Sequence, residues 1–209
     1  MRNSKVLSPD AAAAELVPEY YFAPVDFTHV FERDAPTEVD LGCGDGSFLV
    51  ALAEQNPGRN FLGIERMPGR VRTACRKIAR RGLKNARILR VEIAYAAQHL
   101  LPAQSIDVFH VMFPDPWPKR RHARRRIVTK ELLESIHAAL VANGSLRVAT
   151  DQGEYFEEVR TLLALMPQRF ALANHNDVAD FPVSTFENRF REGGIGIHRL
   201  VARKLSEVR

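Results

Sequence analysis

The stretch TEVDLGCGDGSFLVALAEQ, Thr37 to Gln55, changes its period part-way, and that change decides the fold. Thr37–Leu41 is a short β-type run, Ser47–Gln55 repeats its apolar residues at helical spacing, and Gly42, Gly44 and Gly46 lie between them. A strand, a tight turn and a helix in that order open an α/β sheet. Working outward, β-type runs recur at Asn60–Ile64, Ala86–Val91, Ile106–Phe113 and Ser145–Thr150. Helical patterns separate them at Val71–Arg81, Ala94–Leu100 and Thr129–Leu140, the last closed by the turn pair Asn143-Gly144. RFALA (Arg169–Ala173) and GIHRLVARK (Gly196–Lys204) supply two further strands. The expectation is an α/β, Rossmann-like, mostly parallel seven-stranded sheet with helices on both faces. Residues 1–27, rich in Ala and Pro, are expected to form a loosely ordered arm before a single domain at 28–209.

In an open parallel sheet a ligand sits outside the carboxyl ends of the strands, where strand order reverses. The glycine turn belongs there. Its spacing is G-x-G-x-G with Ser47 at the later glycine position, not the G-x-G-x-x-G of a dinucleotide fold, which argues against NAD and for the looser loop that binds S-adenosylmethionine. Asp40 ends the first strand with an acceptor in the crevice. Glu65 closes NFLGIE, 19 residues after Gly46, where a carboxylate accepts from both ribose hydroxyls. Glu92, after the third strand, is equally an acceptor for the adenine amino group or a solvated loop residue.

The third feature at that edge is VMFPDPWPKRRHARRR, Val111 to Arg126. The apolar run is interrupted only by His110 and suits a central strand; the prolines then stop the ladder and stiffen the loop. Asp115 is thereby held near the position of a cofactor methyl. Guanine offers N1–H and N2–H₂ on one edge and the bare acceptor N7 on the other, so a carboxylate that grips the donors leaves N7 free. Trp117 is read either as a base-stacking ring or as an anchor of the loop.

The charge pattern points to a polyanion. Arg66 to Arg90 holds ten Lys or Arg and no acid, and Lys119 to Arg126 adds six, so sixteen of the thirty basic residues fall in two segments. The net charge is +5. Cys43 and Cys75 form neither a disulfide framework nor a C-x-x-C pair, the seven histidines show no metal-ligand spacing, and no apolar run reaches the ~18 residues of a membrane span. A cytoplasmic protein with no metal and no membrane contact is expected.

On these residues the chain resembles the bacterial tRNA (guanine-N7)-methyltransferases. FPDPWPKRRHARRR is similar to that family's DPW-x-K-x-R-H-x-[KR]-R signature, with supporting matches at DLGCGDG, GIE, ATD (Ala149–Asp151) and STFENRF (Ser184–Phe190). The resemblance implies transfer of a methyl group from S-adenosylmethionine to N7 of a variable-loop guanosine (position 46) of tRNA by a monomer or weak homodimer. It places Asp40, Gly42, Gly44, Gly46, Glu65, Glu92 and Asp115 around the cofactor, with Asp115 catalytic. Lys119, Asp151, Ser184, Thr185, Phe186 and Glu187 are implied to contact the substrate, and Arg121, His122, Arg124, Arg125 and Arg126 to meet RNA. Asp40 stands where the family usually has Glu, Glu92 for the usual Asp, and Ser184 for Thr. Asp151 also reads as a helix N-cap with Glu154 three residues on, and Glu187 alternatively as an ion-pair partner of Arg189 or Arg191.

Rival classes fit less of the sequence. A nicotinamide reductase needs the longer glycine spacing, and a small-molecule methyltransferase has no use for sixteen clustered cations. A non-catalytic RNA-binding protein has no use for Asp40, Glu65 and the glycine turn.

Overall fold

The computed structural model describes residues 7–117, 126–173, 187 and 193–205. Helices α1 (Pro9–Ala13) and α2 (Phe27–Phe31) and strand β1 (Glu15–Leu16) precede the alternating core. The core runs β2 (Thr37–Leu41), α3 (Ser47–Gln55), β3 (Asn60–Ile64), α4 (Pro68–Arg80), β4 (Ala86–Leu89), α5 (Ile93–Tyr95), a π-helical turn (Ala96–Leu100) and β5 (Ile106–Met112). It ends with α6 (Lys130–Ala139), β6 (Leu140–Thr150), α7 (Gly153–Ala164), β7 (Phe170–Leu172) and β8 (His198–Lys204).

Among the described residues the sheet has eight strands in the order β1-β4-β3-β2-β5-β6-β8-β7, so the expected seven are joined by one more. The extra strand comes from the arm. β1 pairs in parallel with β4, Glu15 opposite Ile88, and Ala11 and Ala14 are buried in one of the two main cores. The amino-terminal stretch from Pro9 is therefore docked and not loose, because its small apolar residues fill the space over α4 and its backbone covers an edge that would otherwise be unpaired. β8 runs antiparallel to both β6 and β7; the other pairings are parallel.

Two cores sandwich the sheet. α1, α3 and α4 cover one face; α2, the π-helical turn, α6 and α7 cover the other. In α4 the residues Val71, Ala74, Cys75 and Ile78 face inward at helical spacing while the arginines point out. β2 and β3 are buried along their whole length, as strands covered on both faces must be. His110, the one polar side chain in β5's apolar run, is fully buried with its Nε2 2.6 Å from Glu38 Oε2, and Glu38 in turn accepts from Arg59 at 2.6 Å. α6 ends at Ala139, before the turn pair: Leu140 is already extended and pairs with Ile106, and Asn143 (φ 62°) makes an irregularity inside β6.

β2 has β3 on one side and β5 on the other, so strand order reverses between β2 and β5. The turn out of β2 depends on glycine. Gly46 has φ 75°, and a Cβ there would lie 2.7 Å from Ala74 Cβ on α4. Gly46→Ala therefore combines a left-handed backbone with an impossible contact and is expected to destabilise the chain by about 2 kcal/mol or more. A lower urea midpoint at unchanged m-value checks this.

Candidate active site

The glycine turn is built from backbone hydrogen bonds that direct it over β3. The N–H groups of Gly42 and Cys43 both donate to the Ile64 carbonyl, at 2.9 and 3.0 Å, and Gly46 N–H donates to the Cys43 carbonyl at 3.0 Å. Gly42, Gly44 and Gly46 have φ of 82°, 57° and 75°, a region open to glycine and strained for other residues. Gly63 on β3 completes the arrangement: a Cβ there would meet Cys43 Sγ at 2.7 Å, so a small residue is what lets the turn settle. No spacing rule in the sequence marks Gly63. Asp45 and Ser47 tie the turn to α4 through Lys77, whose Nζ lies 2.7 Å from Asp45 and 2.5 Å from Ser47 Oγ.

Asp40, the penultimate residue of β2, lies opposite Gly63, and Glu65 directly follows β3; both acids are buried. Glu65 Oε1 accepts from Met67 N–H at 2.8 Å, and Arg70 lies 3.7 Å from Oε2. No donor among the described residues reaches the Asp40 carboxyl. Burial, and then the neighbouring Glu65 charge, push the Asp40 carboxyl up to about 7. Two buried acceptors with unused capacity beside a glycine turn fit a ligand that brings ribose hydroxyls and positive charge, as S-adenosylmethionine does.

Glu92 is exposed and caps α5, accepting from Tyr95 N–H at 3.0 Å. Next to it, Ile93 Cδ1 lies 3.5 Å from where a Gly42 side chain would start, so this corner borders the turn. On the other flank, β5 runs into the Asp115 loop. Phe113 N–H donates to the Ala149 carbonyl at 2.8 Å, and both Phe113 (φ 51°) and Trp117 (φ 43°) are left-handed, an uncommon backbone for bulky residues. Asp115 lies between them, exposed, with no hydrogen bond to its carboxylate among the described residues. Trp117 is half-buried.

Arg126 departs from expectation. Expected to face RNA, it turns inward: Nε donates to the Pro116 carbonyl at 2.9 Å, the guanidinium pairs with Glu158 on α7, and Cζ lies 5.3 Å from the centre of the Tyr155 ring. Only 13% of its side chain is exposed. The Tyr155 hydroxyl accepts from Val128 N–H at 3.1 Å, so one α7 cluster holds both Pro116 and the chain after Arg126. Sequence reading could not find Tyr155 or Glu158, which are ordinary helix residues until the fold brings Arg126 to them. Asp151, half-buried at the end of β6, accepts from Gln152 Nε2 at 2.7 Å. It does not cap α7, whose N-cap is Gln152. Glu187 is buried and pairs with Arg199 on β8; Arg189 and Arg191 lie outside the described residues. Lys119, Arg121, His122, Arg124, Arg125, Ser184, Thr185 and Phe186 lie outside the described residues. No helix among the described residues is long and apolar enough to cross a membrane, and no three His, Cys, Asp or Glu among them are grouped to hold a metal.

A family model described as "Putative methyltransferase" matches residues 34–200. A tRNA (guanine-N(7)-)-methyltransferase of Yersinia enterocolitica is 34% identical over 187 residues, covering 88% of this chain and 78% of that one. This chain belongs to the tRNA (guanine-N7)-methyltransferase family. A relative from Syntrophotalea carbinolica with the same name is 31% identical across 84% of this chain and 77% of its own. The solved SAM-dependent methyltransferase from Aquifex aeolicus is similar in fold, with a TM-score of 0.57 and 18% identity over 83% of this chain and 84% of its own. The tRNA (guanine-N7)-methyltransferase family is a class I, S-adenosylmethionine-dependent one, and the Asp40–Glu65 crevice lies where that fold holds its cofactor.

Two outcomes follow from the geometry. Asp40 keeps its proton in the folded chain up to about pH 7 and releases it near pH 4 when unfolded, so it makes stability fall as pH rises through that window. Asp40→Asn removes the dependence: without added cofactor it should stabilise the chain by up to about 4 kcal/mol at pH 8 and hardly at all at pH 4, as urea titrations at the two pH values would show. Arg126→Ala breaks three contacts at once and should cost about 2 kcal/mol, measured in the same way.

Proposed function

We propose that the chain transfers the methyl group of S-adenosylmethionine to N7 of the variable-loop guanosine at position 46 of tRNA. The observation that carries this reading is the placing of Asp115. Its loop leaves β5 at the carboxyl edge, on the strand adjacent to β2 and its glycine turn, with Asp40 opposite His110 in the register. The cofactor's chemical contribution is an electrophilic methyl on a positively charged sulfur.

The chain's residues supply position and electrostatics. N7 carries a lone pair and no proton, so no general base is needed to generate the nucleophile. Asp115 accepts from N1–H and N2–H₂ of guanine, which fixes the base and turns N7 toward the crevice. As positive charge develops on the purine, N1–H becomes more acidic and its bond to the Asp115 carboxylate strengthens, so the interaction favours the transition state over the ground state. The left-handed Phe113 and Trp117 backbones and the Arg126 bond to Pro116 fix the course of the loop that carries Asp115 before the base arrives, which limits the entropy lost at the reacting geometry. Asp40 and Glu65 hold the cofactor from the opposite side. Asp151 and Glu187, with Lys119 and Ser184 to Phe186, are the remaining substrate contacts in this reading, and Arg121 to Arg125 meet phosphates, giving affinity without sequence reading.

The family relationship and the clustered cations favour this reading over a small-molecule methyltransferase, and the Asp40–Glu65 crevice favours it over a non-catalytic RNA-binding protein. Asp115→Ala should lose most of the methylation rate, at least about 100-fold in kcat, while keeping the thermal shift that S-adenosylhomocysteine produces. A variant that methylates tRNA at near the wild-type rate would refute the role.

A further inference from the structure

The segment from Val17 to Phe22 carries apolar surface that the chain does not bury. Phe22 is 80% exposed, Val17 68%, Tyr20 53% and Tyr21 43%, and Tyr95 across from them is 38% exposed. Apolar residues scattered singly are ordinary on a protein surface; five within one small area, four of them aromatic, mark an interaction site.

The patch is preformed. β1 runs parallel to β4 with Leu16 opposite Leu89, so Val17 leaves the sheet at its carboxyl edge. The chain is pinned again where Tyr95 donates its hydroxyl to the Tyr21 carbonyl at 2.6 Å and where Val25 N–H donates to the Leu100 carbonyl at 2.9 Å. Two ring pairs result: Tyr20 and Phe22 with centroids 5.7 Å apart, and Tyr95 and His99 at 4.7 Å. Ile93, two residues before Tyr95, touches the space over Gly42, so the patch lies at the lip of the cofactor crevice.

We infer that these rings are a stacking platform for unpaired nucleobases of the RNA substrate. The identity of that RNA rests on the tRNA methyltransferase reading above; the platform itself rests on exposure and geometry. A base brought to Asp115 has to leave its own stack, and its neighbours then expose π faces that seek a partner. Rings with polar tips, pinned in place at the mouth of the crevice, meet that need at little ordering cost. Stacking also complements the cationic segments, which are less free than the sequence suggests. Within Arg66–Arg90, Arg70, Lys77, Arg81 and Arg90 face Glu65, Asp45, Glu54 and Glu15.

The test is a Tyr20→Ala/Phe22→Ala double variant. Both side chains are solvent-exposed, so the fold is retained, and an unchanged melting-temperature shift with S-adenosylhomocysteine confirms that the crevice is intact. The Kd for unmodified tRNA, measured by filter binding over a range of salt concentrations, should rise by about tenfold or more. The slope of log K against log salt should stay the same, since stacking releases no counterions. Phe22→Trp, which keeps a large ring, should bind as the wild type does. An unchanged Kd in the double variant overturns the platform. So does a loss that comes with a shallower salt slope, or a wild-type dimer that the double variant splits on sedimentation, which would make a second copy the occupant. A wild-type chain that binds tRNA but transfers no methyl would overturn the proposed activity and leave the platform standing.

Discussion

Two neighbouring parallel strands whose following helices leave on opposite faces of a sheet cannot close the gap between their carboxyl ends. β2 and β5 are such a pair: α3 packs on one face and α6 on the other. The gap is only useful if the chain leaving β2 keeps clear of it. Gly46 against Ala74 and Gly63 under Cys43 achieve this by letting backbone lie where a side chain would otherwise be. Asp40 and Glu65 then face the crevice from the floor, and the Asp115 loop borders it on the β5 side. Chemistry at this site follows from that single reversal of strand order.

Much of this was legible in the sequence because it is local. The Thr37–Leu41 strand, the Ser47–Gln55 helix and the left-handed glycines between them stand in the structure with the bounds that periodicity suggests. The acids at the ends of β2 and β3 are equally readable, since strand-end position follows from the same pattern. What was not legible depends on contacts between distant segments. The amino-terminal stretch has the composition of a loose arm and becomes ordered only because β4 offers an unpaired edge and α4 a hollow for Ala11 and Ala14. Arg126 reads as one more cation in a basic run, and only the fold supplies Glu158, Tyr155 and the Pro116 carbonyl that turn it inward. Asn143-Gly144 is a true turn signal, but the strand has already begun at Leu140.

Charge patterning illustrates the same limit. The long acid-free segment around α4 suggests a bare cationic face, yet acids from α3, β1, the glycine turn and the end of β3 come to meet four of its members. Its exposed remainder, with Arg66, Arg72 and Arg80 among it, is a weaker electrostatic footprint than counting predicts. Affinity for an RNA then draws on other surface, and the aromatic rings at the crevice lip are placed to provide it.

The central claim is that one carboxylate holds guanine by its hydrogen-donating edge so that the opposite nitrogen receives the methyl group. Incubation of unmodified tRNA with the protein and S-adenosylmethionine, followed by reduction and aniline cleavage, reads the modified atom and the nucleotide together, because only a 7-methylated guanine makes the strand break. The account predicts a single break, at a guanosine of the variable loop. Methyl incorporated without strand breakage, or breaks spread over guanosines elsewhere in the tRNA, would contradict it.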